Sequence, residues 1–530
     1  MQTKTQNSQF ITLITVFFFW GFVAASNGIF IPFCKSHFQL NQLASQLIDT
    51  SFYGAYFMGS LILFLSSELL GNDLLNKIGY KKGIIYGLTI SIIGALALAY
   101  VTGTNTQSYA FILVTFFIIA LGFSLQQTAA QPFAISLGTP ETGSHRLNMA
   151  GSINSFGTLI GPLVVSILLF GSANSNAIPN IQSIKILYLF LAGLFTLSIL
   201  IFNFSKLPQT NIPEKTDRSP KALFSLLILT AVLLIIILLA IFSPIHKSWL
   251  IVSALLFVFI LLISSYRLSQ KNPNQWGAMQ YPQLVLGMLA IFVYVGVEVS
   301  IQSNMGALLK LPEFGGLHES NISSYISLYW GSLMIGRWIG ALSVFKLSKT
   351  VKNILSFVVP YLAFGLYLVV NHIKGNEIAN LYPYTICILL LIIASLIAQD
   401  KPTKTLLVLS IFGASAMLLG TLISGNIGLY AIISGGLFCS VMWPCIFSLA
   451  TAGLGKYTGQ GSALLIMMIL GGAIIPPLQG AMIDIPSIGA QYSYLLPVTC
   501  FLFLAYYALL SKKILKNQGI DFDTKVATTH

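Results

Sequence analysis

Charge is scarce in this chain: 8% of its residues are charged and only 14 of 530 are acidic. A soluble domain needs a surface rich in both signs of charge, so none of any size is expected. Cysteine is scarce as well. The five, Cys34, Cys387, Cys439, Cys445 and Cys500, have no metal-ligand spacing and sit mostly inside apolar runs. They read as small buried residues, with neither a disulfide framework nor a metal site. Alternation is missing too: stretches such as LLILTAVLLIIILLAIF are continuously apolar, which excludes a barrel of alternating strands. Spans with no His/Asp catalytic pair, and a chain with no Gly-rich nucleotide loop, exclude a membrane-embedded glycosyl- or acyltransferase. The want of a charged ring or re-entrant filter sequence excludes a channel. No enzyme activity, cofactor or metal is expected.

What the chain does have is hydrophobic length. Apolar residues make up 56% of it, and runs of about 20 residues, enough to cross a bilayer, recur from end to end. With every backbone polar group to be satisfied inside lipid, helices are the solution, and an all-α polytopic membrane protein follows. Sixteen spans are expected, at 9–33, 47–70, 82–101, 109–137, 147–171, 184–204, 222–242, 248–266, 282–306, 322–345, 353–371, 382–399, 404–423, 427–452, 460–483 and 491–511. VAAS in the first could pass for a cleavage site, but FVAASNGIFIPF runs on, so it is taken as an uncleaved helix.

Lysine and arginine set the orientation. With the N-terminus inside, the inner loops collect groups such as Lys77, Lys81 and Lys82; Lys206, Lys215, Arg218 and Lys221; Lys346, Lys349 and Lys352; and Lys512, Lys513 and Lys516. The outer loops hold only Lys35, Lys185, Lys247, Lys310 and Lys374. Both termini are therefore expected in the cytoplasm. The formal charge of +13 is this bias, and a nucleic-acid partner has nothing left to explain.

The two halves repeat each other. QPFAISLGTPETGSHRLNMAGSINSFGTLIGP matches WPCIFSLATAGLGKYTGQGSALLIMMILGGAIIPP in order: Pro, Ser-Leu, a polar Gly-rich loop, a small-residue helix, Gly, Pro. FYGAYFMGSLILFLSSELLGNDLLNKIGYKKG and LYWGSLMIGRWIGALSVFKLSKTVKN likewise share a helix running into a basic turn. Parallel halves of this kind build a major facilitator, with a solute site between them at mid-membrane.

On these residues the chain resembles the fucose, galactose and glucose symporter family of the major facilitator superfamily. FFFWGFVAASNGIFIPF, LQQTAAQPF, GTPETGSHRLN, YVGVEVSIQS, MWPCIFSLA and LGKYTGQGSALL carry the resemblance over nearly the whole chain. It implies twelve core helices, a monosaccharide and a proton as transported partners, and a monomer in the lipid of a bacterial cytoplasmic membrane. Four of the sixteen spans are then additional: a hairpin in a linker at 209–275, between halves at 1–208 and 276–530, and a second pair within 353–423. The chain departs from the fucose branch at Gly28 and Gln127, where that branch has acids, and at Gln131 and Gly151, where it has amides. The glucose and galactose branch is closer, with a neutral glutamine before the small-residue run and an acid in the seventh core helix.

That acid is Glu298, in VYVGVEVSIQSN. A carboxylate at the membrane centre costs about 2.5 to 3.5 kcal/mol on insertion scales, so such a residue faces a cavity and serves a pathway. Glu298 is the expected proton carrier; the bland alternative is a neutral group bonded between helices. Tyr294 and Gln302, four residues to either side, share its helical face. A sugar needs amides that donate and accept, and an aromatic face for its ring. Asn27, Gln127, Gln131, Asn154, Gln302 and Asn304 are the candidate amides, and Tyr294, Tyr329, Trp330 and Trp443 the rings. For each, interhelical packing is the alternative. Asp73, Lys81 and Lys82 resemble the superfamily's cytoplasmic gating loop, and Arg337 is expected there too, paired with loop acids or helix-end carbonyls. Within the transporter class, an uncoupled or sodium-coupled facilitator is the competing mechanism.

Overall fold

The computed structural model describes residues 7–40, 42–103, 108–139, 142–170, 181–208, 215–317, 319–345 and 347–522. Each of the sixteen expected spans falls on a long helix or on a helix broken into two pieces. The first half comprises α1 (Asn7–His37), α2 (Gln42–Leu70), α3 (Tyr80–Thr102), α4 (Tyr109–Ser136), α5 (Gly143–Phe170) and α6 (Ile181–Phe204). A hairpin of α7 (Pro220–Phe242) and α8 (Lys247–Lys271) follows. Then come α9 (Pro282–Ser303), α10 (Glu319–Ala341), α11 (Lys349–Ile373), α12 (Thr385–Ala398) and α13 (Pro402–Leu422). The chain closes with α14 (Gly425–Thr451), α15 (Gly455–Ile483) and α16 (Leu495–Asn517). Among the described residues, 13 of these helices are long and apolar enough to cross a membrane. The other three, α1, α5 and α10, are equally long but richer in polar residues or only partly described.

Packing reproduces the internal repeat. In the first half α1 lies along α5, and α3 lies between α4 and α6. In the second half α9 lies along the outer part of α15, and α13 lies between α14 and α16. Helix α13 thus holds the place that α3 holds. Helix α11 leans on α10 at the edge, with α12 beside it. Helix α7 buries little more than Ala222, Ser225, Leu226 and Leu229, while α8 rests on α9 and α15.

Two helices of the second half are broken, and the sequence supplies the reasons. Helix α14 loses its α-helical course around Ser440 and Val441, just before Pro444, which has no N–H to give the helix. Helix α15 passes through a 3-10 turn at Met468–Leu470, ahead of Pro476 and Pro477. Gly471 follows that turn. A Cβ on it would stand 1.8 Å from the Phe292 carbonyl oxygen of α9, so only glycine lets these two backbones meet.

Helix α12 reaches further inward than a pure flank would. Its Leu391, Ser395 and Ala398, with Asp400 of the next turn, line a small cavity together with His145 and Asn148 of the first half. Gly336 of α10 and Ser440 and Val441 of α14 line it as well, so it runs from the end that carries the basic loops toward the break in α14. Asp400 is tied to the start of α11 by an ion pair with Lys352.

Candidate functional site

Helix α9 is apolar almost all round and nearly every side chain on it is buried, because it runs through the middle of the second half. Glu298 is its one acid. The carboxylate is 14% exposed, and Arg337 of α10, 15% exposed, brings Nη2 to 4.0 Å from Oε1. Arg337 also donates from Nε to the Ser440 carbonyl at 3.1 Å, at the break in α14, and from Nη1 to Ser155 Oγ of α5 at 2.8 Å. The buried cation is therefore shared between a carboxylate, a carbonyl left without a helical partner, and a hydroxyl of the other half. Of the two kinds of partner expected for Arg337, the helix-end carbonyl is present, that of Ser440, while the acid is Glu298 inside the bundle and not a loop acid. A buried acid and a buried base on neighbouring core helices, each costly alone, were a signal that pairing could have been read from.

Around this pair stand two buried donors. The Tyr294 hydroxyl, one turn before Glu298, faces that carboxylate, and the Trp443 indole N–H is without a hydrogen-bond partner. Their rings lie 6.2 Å apart. A buried donor left open costs about 1 to 3 kcal/mol, so Trp443 marks a place where a ligand oxygen or water fits. Trp330 is 39% exposed and lies on the same helical face as Arg337, two turns before it.

Other expected ligands turn out to be spent on the protein itself. Tyr329 is fully buried and donates its hydroxyl to the Glu298 carbonyl at 2.7 Å, propping α9 from behind. Asn304 donates to Gln479 Oε1 at 3.1 Å, in a network where Gln479 also accepts from Ser300 at 2.6 Å and donates to Ser493 at 3.1 Å. Both bonds have one cause: the helical turn that carries the residue faces another helix. Asn154 donates to the Phe17 carbonyl at 3.0 Å and so fastens α5 to α1. Gln302 donates to the neighbouring Ser303 hydroxyl at 3.1 Å, at the end of α9.

On the first half, Gln127 is partly buried and donates to the Tyr56 hydroxyl at 2.8 Å, leaving its carbonyl oxygen free to accept. Tyr56 was not foreseen, since a tyrosine in an aromatic-rich span carries no distinguishing pattern. Gln131, one turn on, is buried. The side chain of Asn27 lies outside the described residues.

The halves meet at the end that carries the basic loops. Asn76 donates to the Lys456 carbonyl at 2.7 Å, and Ser462 to the Thr128 carbonyl at 2.7 Å. Asp73 caps the short helix Leu74–Ile78 and is 3% exposed, its carboxylate accepting from the backbone N–H of Asn76, Leu75 and, across the interface, Gln460. Lys81 bonds instead to the Ser205 carbonyl at 2.9 Å, at the end of α6, and Lys82 is exposed.

Burial pushes the Asp73 carboxyl up to about 6, against the opposing pull of its three backbone N–H donors. A carboxyl whose pKa is raised while this end is closed binds a proton more tightly closed than open. Closure should therefore begin to strengthen as pH falls through about 6 and gain fully only below about 4, the ordinary carboxylate range. Spin labels at Lys77 and Lys349, on opposite halves, should show the closed distance gaining population over that range. Asp73→Asn should remove the transition; a midpoint that survives the substitution would assign it to another group.

No family model matches the chain. Among curated proteins it is 30% identical over 505 residues to the glucose/galactose transporter of Brucella abortus biovar 1 (strain 9-941), covering 95% of this chain and 93% of that one. It is 24% identical over 534 residues to the L-fucose-proton symporter of Escherichia coli (strain K12), covering 97% and 96%. Among solved structures, the major facilitator superfamily transporter FucP in its outward conformation superposes with a TM-score of 0.65 at 21% identity, over 95% of this chain and 98% of that one.

Proposed function

The chain belongs to the fucose, galactose and glucose symporter family of the major facilitator superfamily, and from that premise we propose that it imports a hexose or hexose derivative by proton symport. The observation that carries the reading is the largely buried Glu298 with Arg337 and Tyr294 at its side and an open donor, the Trp443 indole N–H, beside it. A hydroxyl-rich solute satisfies such a donor through its oxygens. Gln127 presents a carbonyl acceptor from the other half, and the Trp330 and Trp443 rings offer apolar faces. Glu298 takes the proton from the open side and gives it up on the other. Ionised, it pairs with Arg337; protonated, it is neutral and no longer resists enclosure in a dry site.

In this reading the closed end is the cytoplasmic gate, both termini are cytoplasmic, and the protein works as a monomer in a bacterial cytoplasmic membrane. The added pairs are α7 with α8, in the linker 209–275, and α11 with α12, which leaves α13 as the ninth core helix of the chain and the third of the second half, 276–530. The first half is 1–208.

Purified protein in lipid vesicles, given a panel of labelled hexoses with pH and sodium gradients imposed separately, tests this directly. Accumulation driven by an acidic exterior is expected. Uptake that follows sodium, or that only equilibrates, would replace proton symport with the competing mechanism. Movement of amino acids but of no sugar would remove the substrate class.

A further inference from the structure

We propose that Ser155 is a positioning residue that latches Arg337 across the two halves and so prevents the proton from crossing without its co-solute. The inference rests on the reading of Glu298 as the proton site and concerns what happens when that site is loaded alone. Arg337 has three partners: the Glu298 carboxylate and the Ser440 carbonyl in its own half, and the Ser155 hydroxyl in the other. Opening the end at which α5 and α10 pack must break the Ser155 bond, because it joins those two helices.

The cost of breaking it depends on Glu298. With the carboxylate ionised, Arg337 keeps a counter-ion when Ser155 leaves. With Glu298 protonated, Arg337 has lost that counter-ion, and giving up Ser155 as well leaves a largely buried guanidinium with one carbonyl. Protonation alone therefore makes the closed end harder to open. A bound solute, by adding acceptors beside Tyr294, Trp443 and Arg337, lifts that penalty. The groups that face Glu298 are Tyr294 from its own helix, Tyr329 and Arg337 from α10, and Cys439 from α14. Of these only Arg337 carries charge at neutral pH, so it alone can transmit the change.

The chain has made room for this contact. Gly151 sits one turn before Ser155 on α5, and a Cβ there would come to 3.3 Å from Arg337 Cδ. A side chain with the reach of glutamine at this position would fill the slot through which Arg337 reaches Ser155. Ser155 itself is 3% exposed, so its hydroxyl has no competing bulk water.

The test is a double-mutant cycle read without any sugar. Labels at Lys77 and Lys349 report the ratio of open to closed molecules at the basic end. Ser155→Ala should raise that ratio about tenfold in a Glu298→Gln background, which mimics the protonated acid, and clearly less with Glu298 present. Proton leak into sugar-free vesicles should rise several-fold in Ser155→Ala and return to the parental level in Ser155→Thr, which keeps the hydroxyl. Equal shifts in the two backgrounds, or an unchanged leak, would overturn the latch. Loss of closure in Ser155→Thr as well would assign the residue to packing and overturn it too. Since no arm uses a sugar, failure of the substrate reading leaves the cycle interpretable, and failure of the cycle leaves uptake untouched.

Discussion

Vesicles carrying Glu298→Gln are expected to exchange labelled sugar across the membrane while failing to accumulate it when a pH gradient is imposed. Glutamine keeps the shape of the protonated acid and its capacity to donate and accept, so the solute site and the prop from Tyr329, which uses only the Glu298 backbone carbonyl, stay intact. What disappears is the second protonation state. A carrier that cannot ionise has no step at which an imposed gradient can do work on it, so accumulation falls to the equilibrium ratio, a complete loss, while exchange stays within a few-fold of the parent. Counterflow and gradient-driven uptake measured on the same vesicles separate the two. Proton-driven accumulation by Glu298→Gln would move the coupling role elsewhere, leaving Glu298 as a packing or sugar-binding group.

The second large effect is expected at Arg337. Replacing it with leucine leaves the Glu298 carboxylate in a dry bundle without its counter-ion, and leaves the Ser440 carbonyl and the Ser155 hydroxyl without their donor. Breaking one side of a buried pair costs about 3 to 5 kcal/mol, a large share of the stability of an ordinary domain. The Arg337→Leu protein should therefore show a strong drop in melting temperature in detergent and no transport. Adding Glu298→Gln should return much of the stability, since the stranded charge is gone, without returning accumulation. If the double variant is as unstable as Arg337→Leu alone, the damage comes from lost packing around the guanidinium stem and the pair is not coupled as described. This rescue also distinguishes a charge partner from a gate residue, because a residue held by loop acids would gain nothing from a change on α9.

Much of the architecture could be read from the residues in order. Spans are a local property: hydrophobic length decides whether a segment enters lipid, and all sixteen expected segments coincide with helices. The repeat between QPFAISLGTPETG and WPCIFSLATAGLG pointed to two related halves, and the one acid deep in a core span pointed to Glu298, because the cost of an embedded charge is independent of fold. The tertiary structure decided which faces are turned where. In lipid the outside of a helix is as apolar as its inside, so a pattern such as VLGMLAIFVYVGVEVSIQS has no polar stripe to show its orientation. For that reason only packing could tell α13, set between α14 and α16, from its neighbours α11 and α12. For the same reason only packing could turn Tyr329 and Asn304 inward to brace helices while setting Tyr294 against Glu298 and leaving Trp443 with an open donor. It alone brought Arg337, 39 residues beyond Glu298 in the chain, to 4.0 Å from it, since pairing across helices depends on crossing geometry that no single helix encodes.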